Sequence, residues 1–147
     1  MINLSQRKST SDLQKTKVGS TIVLAGWMEK SKHLGKLAFL NLRDREGYAQ
    51  IVANENFLGL KGLKDLTRES VIAVKGRVKT SKAKSGGKEL ELVEIDVLNR
   101  ATVPLPIEFL GGKVETDMSK RLDYRYLDLR NPKVFAIFKV RSVVLNA

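Results

Sequence analysis

From Thr21 onward, apolar residues alternate with polar ones over short β-rich runs punctuated by glycine. A period of two predicts strands that turn one face toward a core. "TIVLAGWMEK" (21–30) reads as a first strand, with Gly26 the place for a bulge or sharp coil. "KSKHLGK" is a loop turning at Gly35, and "LAFLNLRD" is a second strand. In that strand Ala38, Leu40 and Leu42 share one face, and Phe39, Asn41 and Arg43 share the other. "DREG" is a tight hairpin connection. "YAQIVA" is a third strand, setting Ala49, Ile51 and Ala53 against Tyr48, Gln50 and Val52.

The pattern then changes. Phe57, Leu60, Leu63 and Leu66 recur at helical spacing, with Asn54 or Asn56 available as a cap, although Gly59 and Gly62 weaken a helix here. "SVIAVKGRVKTS" and "ELELVEIDVLNRA" return to strand character and flank the basic, glycine-containing "KAKSGGK". Three strands in a meander, a helix and two more strands is the order of an all-β, five-stranded Greek-key barrel, the OB-fold, with its helix between strands three and four. An SH3-like barrel usually lacks that helix.

Residues 1–20 are polar and read as an N-terminal arm, which sets the predicted barrel at 21–104. The prolines of "TVPLPIEF" demand extended backbone, so 105–124 reads as a linker. Residues 125–147 contain a helix starting at Pro132, with Val134, Ile137, Phe138, Arg141 and Val144 on its expected face. The chain ends inside that pattern, which leads us to expect the opening of a second, truncated domain.

Composition narrows the function. No cysteine is present, which excludes disulfides and thiolate metal sites. One histidine, His33, cannot build a multi-histidine centre and is expected at the surface; no metal site is predicted. No apolar run is long enough to span a bilayer, and the first residues have no apolar core of a signal peptide. A cytoplasmic location is the expectation. The 27 Lys and Arg against 16 Asp and Glu give a net charge of +11, which favours polyanionic partners. Six cations (Lys75, Arg77, Lys79, Lys82, Lys84 and Lys88) occur in one stretch without an acid. A membrane surface would attract them too, but no basic amphipathic helix accompanies them.

These features converge on the outer face of strands two and three, where OB barrels bind nucleic acid between two flanking loops. Phe39 on a face with Asn41 and Arg43 covers no core of its own. An aromatic ring there can stack on an unpaired base, for about 1–3 kcal/mol. The competing reading is that the arm covers it. Gln50 offers a donor and an acceptor to a base edge. Lys82, Lys84 and Lys88, with the lysines of the first loop, would track phosphates.

"GWMEKSKHLGKLAFLNLRDREGYAQI", "VLNRATVPLPIE" and "RLDYRYLDLRNPKVFAIFKVRS" together resemble the N-terminal part of aspartyl-tRNA synthetases, nearest the archaeal and eukaryotic type. "RYLDLR" following "LRDREG" and "LNRA" is similar to the aspartyl, asparaginyl and lysyl group of class II enzymes, and "LRDREG" with "DLRNP" favours the aspartyl member. The resemblance implies that the barrel binds the tRNA anticodon with its bases splayed outward. It places the family's stacking phenylalanine at Phe39, for the central uridine, and the glutamine reading that uridine at Gln50. A basic loop residue falls on Lys32, and the acidic residue near the last anticodon base on Glu89. Glu29 and Ser85 fall where the first anticodon base would lie.

The family's three class II motifs, including an FRxE-type loop, do not occur in these 147 residues. By this resemblance ATP and magnesium belong to a catalytic domain outside the chain. The chain itself is expected to be inactive alone and to need no cofactor, and the parent enzyme to be a homodimer. The alternatives are a stand-alone RNA-binding OB module and the same domain of an asparaginyl enzyme.

Overall fold

The alternating runs do form strands, and hydrogen bonding closes them into a barrel. The computed structural model describes residues 1–57, 59–81, 86–109 and 116–147. Strand β1 (Arg7–Lys8) and helix α1 (Thr10–Lys15) precede β2 (Thr21–Leu34), β3 (Leu37–Arg43) and β4 (Tyr48–Ala53). A 3-10 turn at Lys61–Asp65 leads to β5 (Val71–Thr80) and β6 (Lys88–Asn99). Sheet order is β1-β2-β3-β4-β6-β5, and β5 pairs back onto β2, which closes five strands into the OB topology. β4 and β6 run parallel; the other barrel pairs are antiparallel.

The inward positions are those the alternation selects. Leu24, Leu40, Leu42, Ile51, Ile72, Val74, Val78 and Leu90 are buried and share one cluster. β2 serves two neighbours, pairing with β5 from Thr21 to Trp27 and with β3 from Trp27 to Leu34. At the changeover a Cβ on Gly26 would lie 2.2 Å from the Arg43 carbonyl oxygen. Only glycine lets the two backbones approach so closely. The bulge expected at Gly26 lies further on: pairing slips between Met28 and Lys30, leaving Glu29 as the extra residue.

Other expectations change as well. The predicted first loop is mostly strand, since β2 runs to Leu34 and only Gly35 and Lys36 connect it to β3. Gly35, at φ +57, takes the first position of that two-residue turn. The helix expected between strands three and four is the short 3-10 turn, in keeping with Gly59 and Gly62. Its apolar positions still reach the core, with Leu63 and Leu66 buried and Phe57 and Leu60 packed against them.

The predicted arm is part of the barrel's compact unit, Met1–Val103. Leu13 is fully buried in the barrel core, and Arg7 and Lys8 pair parallel with Val23 and Leu24. The start of α1 is held by Asp12, whose carboxylate accepts from both the N–H and the hydroxyl of Ser9. Those hydrogen bonds hold the Asp12 carboxyl below its ordinary range.

A second compact unit spans Pro104–Ala147. It contains α2 (Met118–Asp123), α3 (Arg125–Asp128) and α4 (Pro132–Leu145). The segment read as a linker supplies Ile107 and Phe109, both buried against Leu127. Asn131 caps α4 by accepting from the Lys133 N–H, while its amide donates to the Phe109 carbonyl at 2.6 Å. Arg121 forms a two-point ion pair with Asp128, which raises the arginine's pKa. The expected apolar face of α4 is not buried: Val134 and Phe138 are half-buried, and Ile137 and Val144 are exposed.

Candidate nucleic-acid interface

Register alone places nine outward side chains of β2, β3 and β4 in three rows, because residues directly opposite in antiparallel strands share a face. Lys32, Phe39 and Val52 form one row; Lys30, Asn41 and Gln50 the next; Trp27, Arg43 and Tyr48 the third. The bulge at Glu29 creates this grid. Strict alternation from Trp27 would put Glu29 and Ser31 outward; one extra residue shifts the phase and brings Lys30 and Lys32 beside Asn41 and Phe39.

The Phe39 ring is half-buried and lines a surface cavity of about 260 Å³ with Lys30, Lys32, Asn41 and Gln50. No residue of the N-terminal arm lines it, since the arm is tied to the other half of β2. Gln50 is half-buried, and its side-chain N–H donates to Glu89 Oε2 at 3.2 Å. The same carboxylate oxygen accepts from the Ser81 hydroxyl at 3.0 Å. A carboxylate can only accept, so Glu89 orients the amide with its NH₂ toward β6. Asn41 is held similarly, its amide donating to the bulge residue Glu29 at 2.8 Å.

Two of the predicted contacts have other work. Arg43, expected on the wet face, is 5% exposed. Its guanidinium donates to both oxygens of Glu69, at 3.0 and 2.8 Å, and lies 5.6 Å from the centroid of Trp27. Glu69 is itself buried and held at φ +66, a conformation that costs a non-glycine residue roughly 1–3 kcal/mol. Its N–H donates to the Met28 carbonyl, just before the bulge. Arg43 is thus a tie between β3 and the chain entering β5.

Lys88 is the second correction. Its ammonium donates to the carbonyls of Gln14 and Thr16, at 2.6 and 2.8 Å, at the C-terminal end of α1. Its backbone N–H and C=O both bond the Gln14 side chain. These contacts dock α1 onto β6 and use the charge that was expected to meet phosphate. Lys82, Lys84 and Ser85 lie outside the described residues. His33, expected at the surface, is half-buried in the β2–β3 ladder opposite Ala38.

Sequence reasoning counted Lys30 among the loop lysines without placing it on the strand face, and it missed Ser81 and the paired roles of Glu29 and Glu89. The place of Lys30 was hidden by the bulge, which no local signal announced. Among the described residues no group of three or more His, Asp and Glu side chains could hold a metal ion, and no helix is long and apolar enough to cross a membrane.

Residues 22–98 match the tRNA anticodon family of OB-fold nucleic acid binding domains. The aspartate–tRNA(Asp/Asn) ligase of Archaeoglobus fulgidus is 41% identical over 144 residues, which cover 96% of this chain and 33% of that protein. That of Methanocaldococcus jannaschii is 39% identical over 153 residues, covering 100% of this chain and 35% of that protein. Among solved structures, the asparaginyl-tRNA synthetase of Pyrococcus horikoshii superposes with a TM-score of 0.81 at 29% identity, over 95% of this chain and 33% of that one. A putative aspartyl-tRNA synthetase from Leishmania major shares the fold, with a TM-score of 0.83 at 22% identity over 99% of this chain and 32% of that one. The chain spans about a third of the length of the curated relatives it matches.

Proposed function

Because the chain belongs to the tRNA anticodon family of OB-fold nucleic acid binding domains, we propose that its outer face reads the anticodon of tRNA for an aspartate–tRNA ligase. The observation that carries this reading is Gln50, set beside the Phe39 cavity with its amide oriented by Glu89. One N–H goes to Glu89. The second N–H and the carbonyl oxygen remain for a base edge. Uracil matches them with a carbonyl and a ring N–H, whereas cytosine puts a lone pair where the ring N–H should be. Such a mismatch leaves desolvated polar groups unpaired, at about 1–3 kcal/mol. Stacking on Phe39 holds the base in place without distinguishing it. Lys30 and Lys32 lie beside it for the phosphates.

On this reading the chain recognises and the longer polypeptide performs the chemistry. ATP, magnesium and aspartate are handled by residues beyond these 147. Exposed Ile137, Val140, Val143 and Val144 give α4 an apolar surface suited to cover by further polypeptide or a second subunit. A homodimeric parent enzyme is in keeping with this, and on the same reading it works in the cytoplasm. The Archaeoglobus and Methanocaldococcus relatives are named for both aspartate and asparagine tRNA, and we extend the proposal to both. The two tRNAs share the central uridine that Gln50 would read.

The test is a double-mutant cycle. Wild type and Gln50→Ala are each titrated with RNA hairpins carrying GUC or GCC in the loop. Replacing the central uridine should cost wild type about 1–3 kcal/mol and the variant markedly less. A coupling energy near zero would reduce the face to a non-specific single-strand platform.

A further inference from the structure

Phe39 and Asn41 follow one another on the outward side of β3, two residues or about 7 Å apart. Asn41 and Gln50 stand directly opposite each other across β3 and β4, which sets their Cβ atoms about 5 Å apart. All three side chains line the same cavity of about 260 Å³. A base lying on the Phe39 ring therefore turns an edge toward two amides rather than one. Both amides are half-buried, and each is held from its own flank. Asn41 donates to Glu29 of β2 at 2.8 Å, and Gln50 donates to Glu89 of β6 at 3.2 Å. Glu29 is itself only 9% exposed. A carboxylate only accepts, so it fixes the NH₂ end of the Asn41 amide as Glu89 fixes that of Gln50. The Asn41 side chain makes no other hydrogen bond among the described residues, which leaves its second N–H for a ligand.

We infer that Asn41 is a second specificity-determining residue for the same base, its free N–H donating to the uracil carbonyl that Gln50 leaves unpaired. The inference rests on the anticodon reading and deepens it. Uracil presents a ring N–H flanked by two carbonyls. With one N–H engaged by Glu89, Gln50 has one donor and one acceptor to give, and meets two of those three groups. The third, withdrawn from water over the Phe39 ring, needs a donor of its own. Asn41 stands one strand away from Gln50 and supplies it. Lys30, the third residue of the row, is exposed, and its ammonium has no such fixed orientation. Together the two amides offer two donors and one acceptor, the complement of uracil. Cytosine has an amino group in place of one carbonyl and a lone pair in place of the ring N–H, so two of the three contacts fail.

The experiment titrates the full 147-residue chain with RNA hairpins carrying GUC in the loop, the central base being uridine, 2-thiouridine or 4-thiouridine. Sulfur accepts a hydrogen bond less well than oxygen, so each analogue weakens one carbonyl position. Wild type should lose about threefold to tenfold in affinity with either analogue, the value of one hydrogen bond. In Asn41→Ala one analogue should bind as well as uridine while the other keeps its loss. In Gln50→Ala the two analogues should exchange places. Asn41→Ser has a single hydroxyl proton, which Glu29 takes, so it should match Asn41→Ala with less disturbance of the fold. Lys30→Ala should weaken all three RNAs alike. Each ratio compares RNAs on one protein, which separates base reading from any change in folded fraction. Asn41 variants that stay sensitive to both analogues overturn the inference, as does a wild type that responds to only one, or loss of an analogue's effect in Lys30→Ala. If Gln50→Ala removes one effect and the Asn41 variants remove neither, the role of Asn41 alone falls. If no variant alters either ratio, the anticodon reading falls with it.

Discussion

Arg43 and Gln50 sit one row apart on the same outer face, and each donates to a carboxylate, yet the two pairs do opposite work. Arg43 and Glu69 are both buried, at 5% and 3% exposure, and are joined by two hydrogen bonds. Gln50 and Glu89 are half-buried and share a single hydrogen bond, at 3.2 Å. A charge held away from water must keep its partner or destabilise the fold. A neutral amide with one donor engaged loses little when a ligand arrives. The face thus separates a fixed tie from a reading head within the width of one residue pair.

Breaking the tie should have the largest effect. Glu69→Leu leaves the Arg43 guanidinium buried without its carboxylate and should cost about 3–5 kcal/mol of folding stability. Denaturant unfolding measures it. A loss below about 1 kcal/mol would mean that Arg43 can swing outward and serve RNA after all. Phe39→Ala acts on the other side of the comparison. It should weaken hairpin binding by about 1–3 kcal/mol while the circular dichroism spectrum stays that of the wild type. Loss of the fold with normal binding per folded molecule would place the ring in the core.

The smallest effect separates lysines expected to behave alike. Lys88→Ala should cost about 1 kcal/mol of stability by releasing the end of α1, and leave the salt dependence of RNA binding almost unaltered. Lys82→Ala and Lys84→Ala together should leave stability alone and lower the log–log salt slope by roughly 1.4, at 0.7 per phosphate contact. An equal slope change from Lys88→Ala would return it to the phosphate-tracking set.

Much of the site could be read directly. Phe39 and Gln50 fall outward by simple alternation in β3 and β4, two strands without bulges whose inner faces are filled by Ala38, Leu40, Leu42, Ala49 and Ile51. Arg43 obeys the same alternation, which says which side a residue points to but not what lies above it. Glu69, 26 residues later, covers it from the segment entering β5. The place of Lys30 beside Asn41 escaped because the bulge at Glu29 shifts the phase of β2, and a bulge depends on how two strands meet rather than on either strand's composition.

What the sequence by itself determined is therefore local: the strand runs, their inward faces, the barrel order and the two side chains at the centre of the face. Each follows from a two-residue period and the need to bury one side of it. Only the tertiary structure decided which charges are available to a ligand. Lys88 meets the end of a helix 74 residues away in sequence, and the polar N-terminal segment becomes part of the core through Leu13. The physical reason is that a hydrogen bond or ion pair needs two partners at contact distance, and folding brings them there from segments whose separate patterns do not name one another.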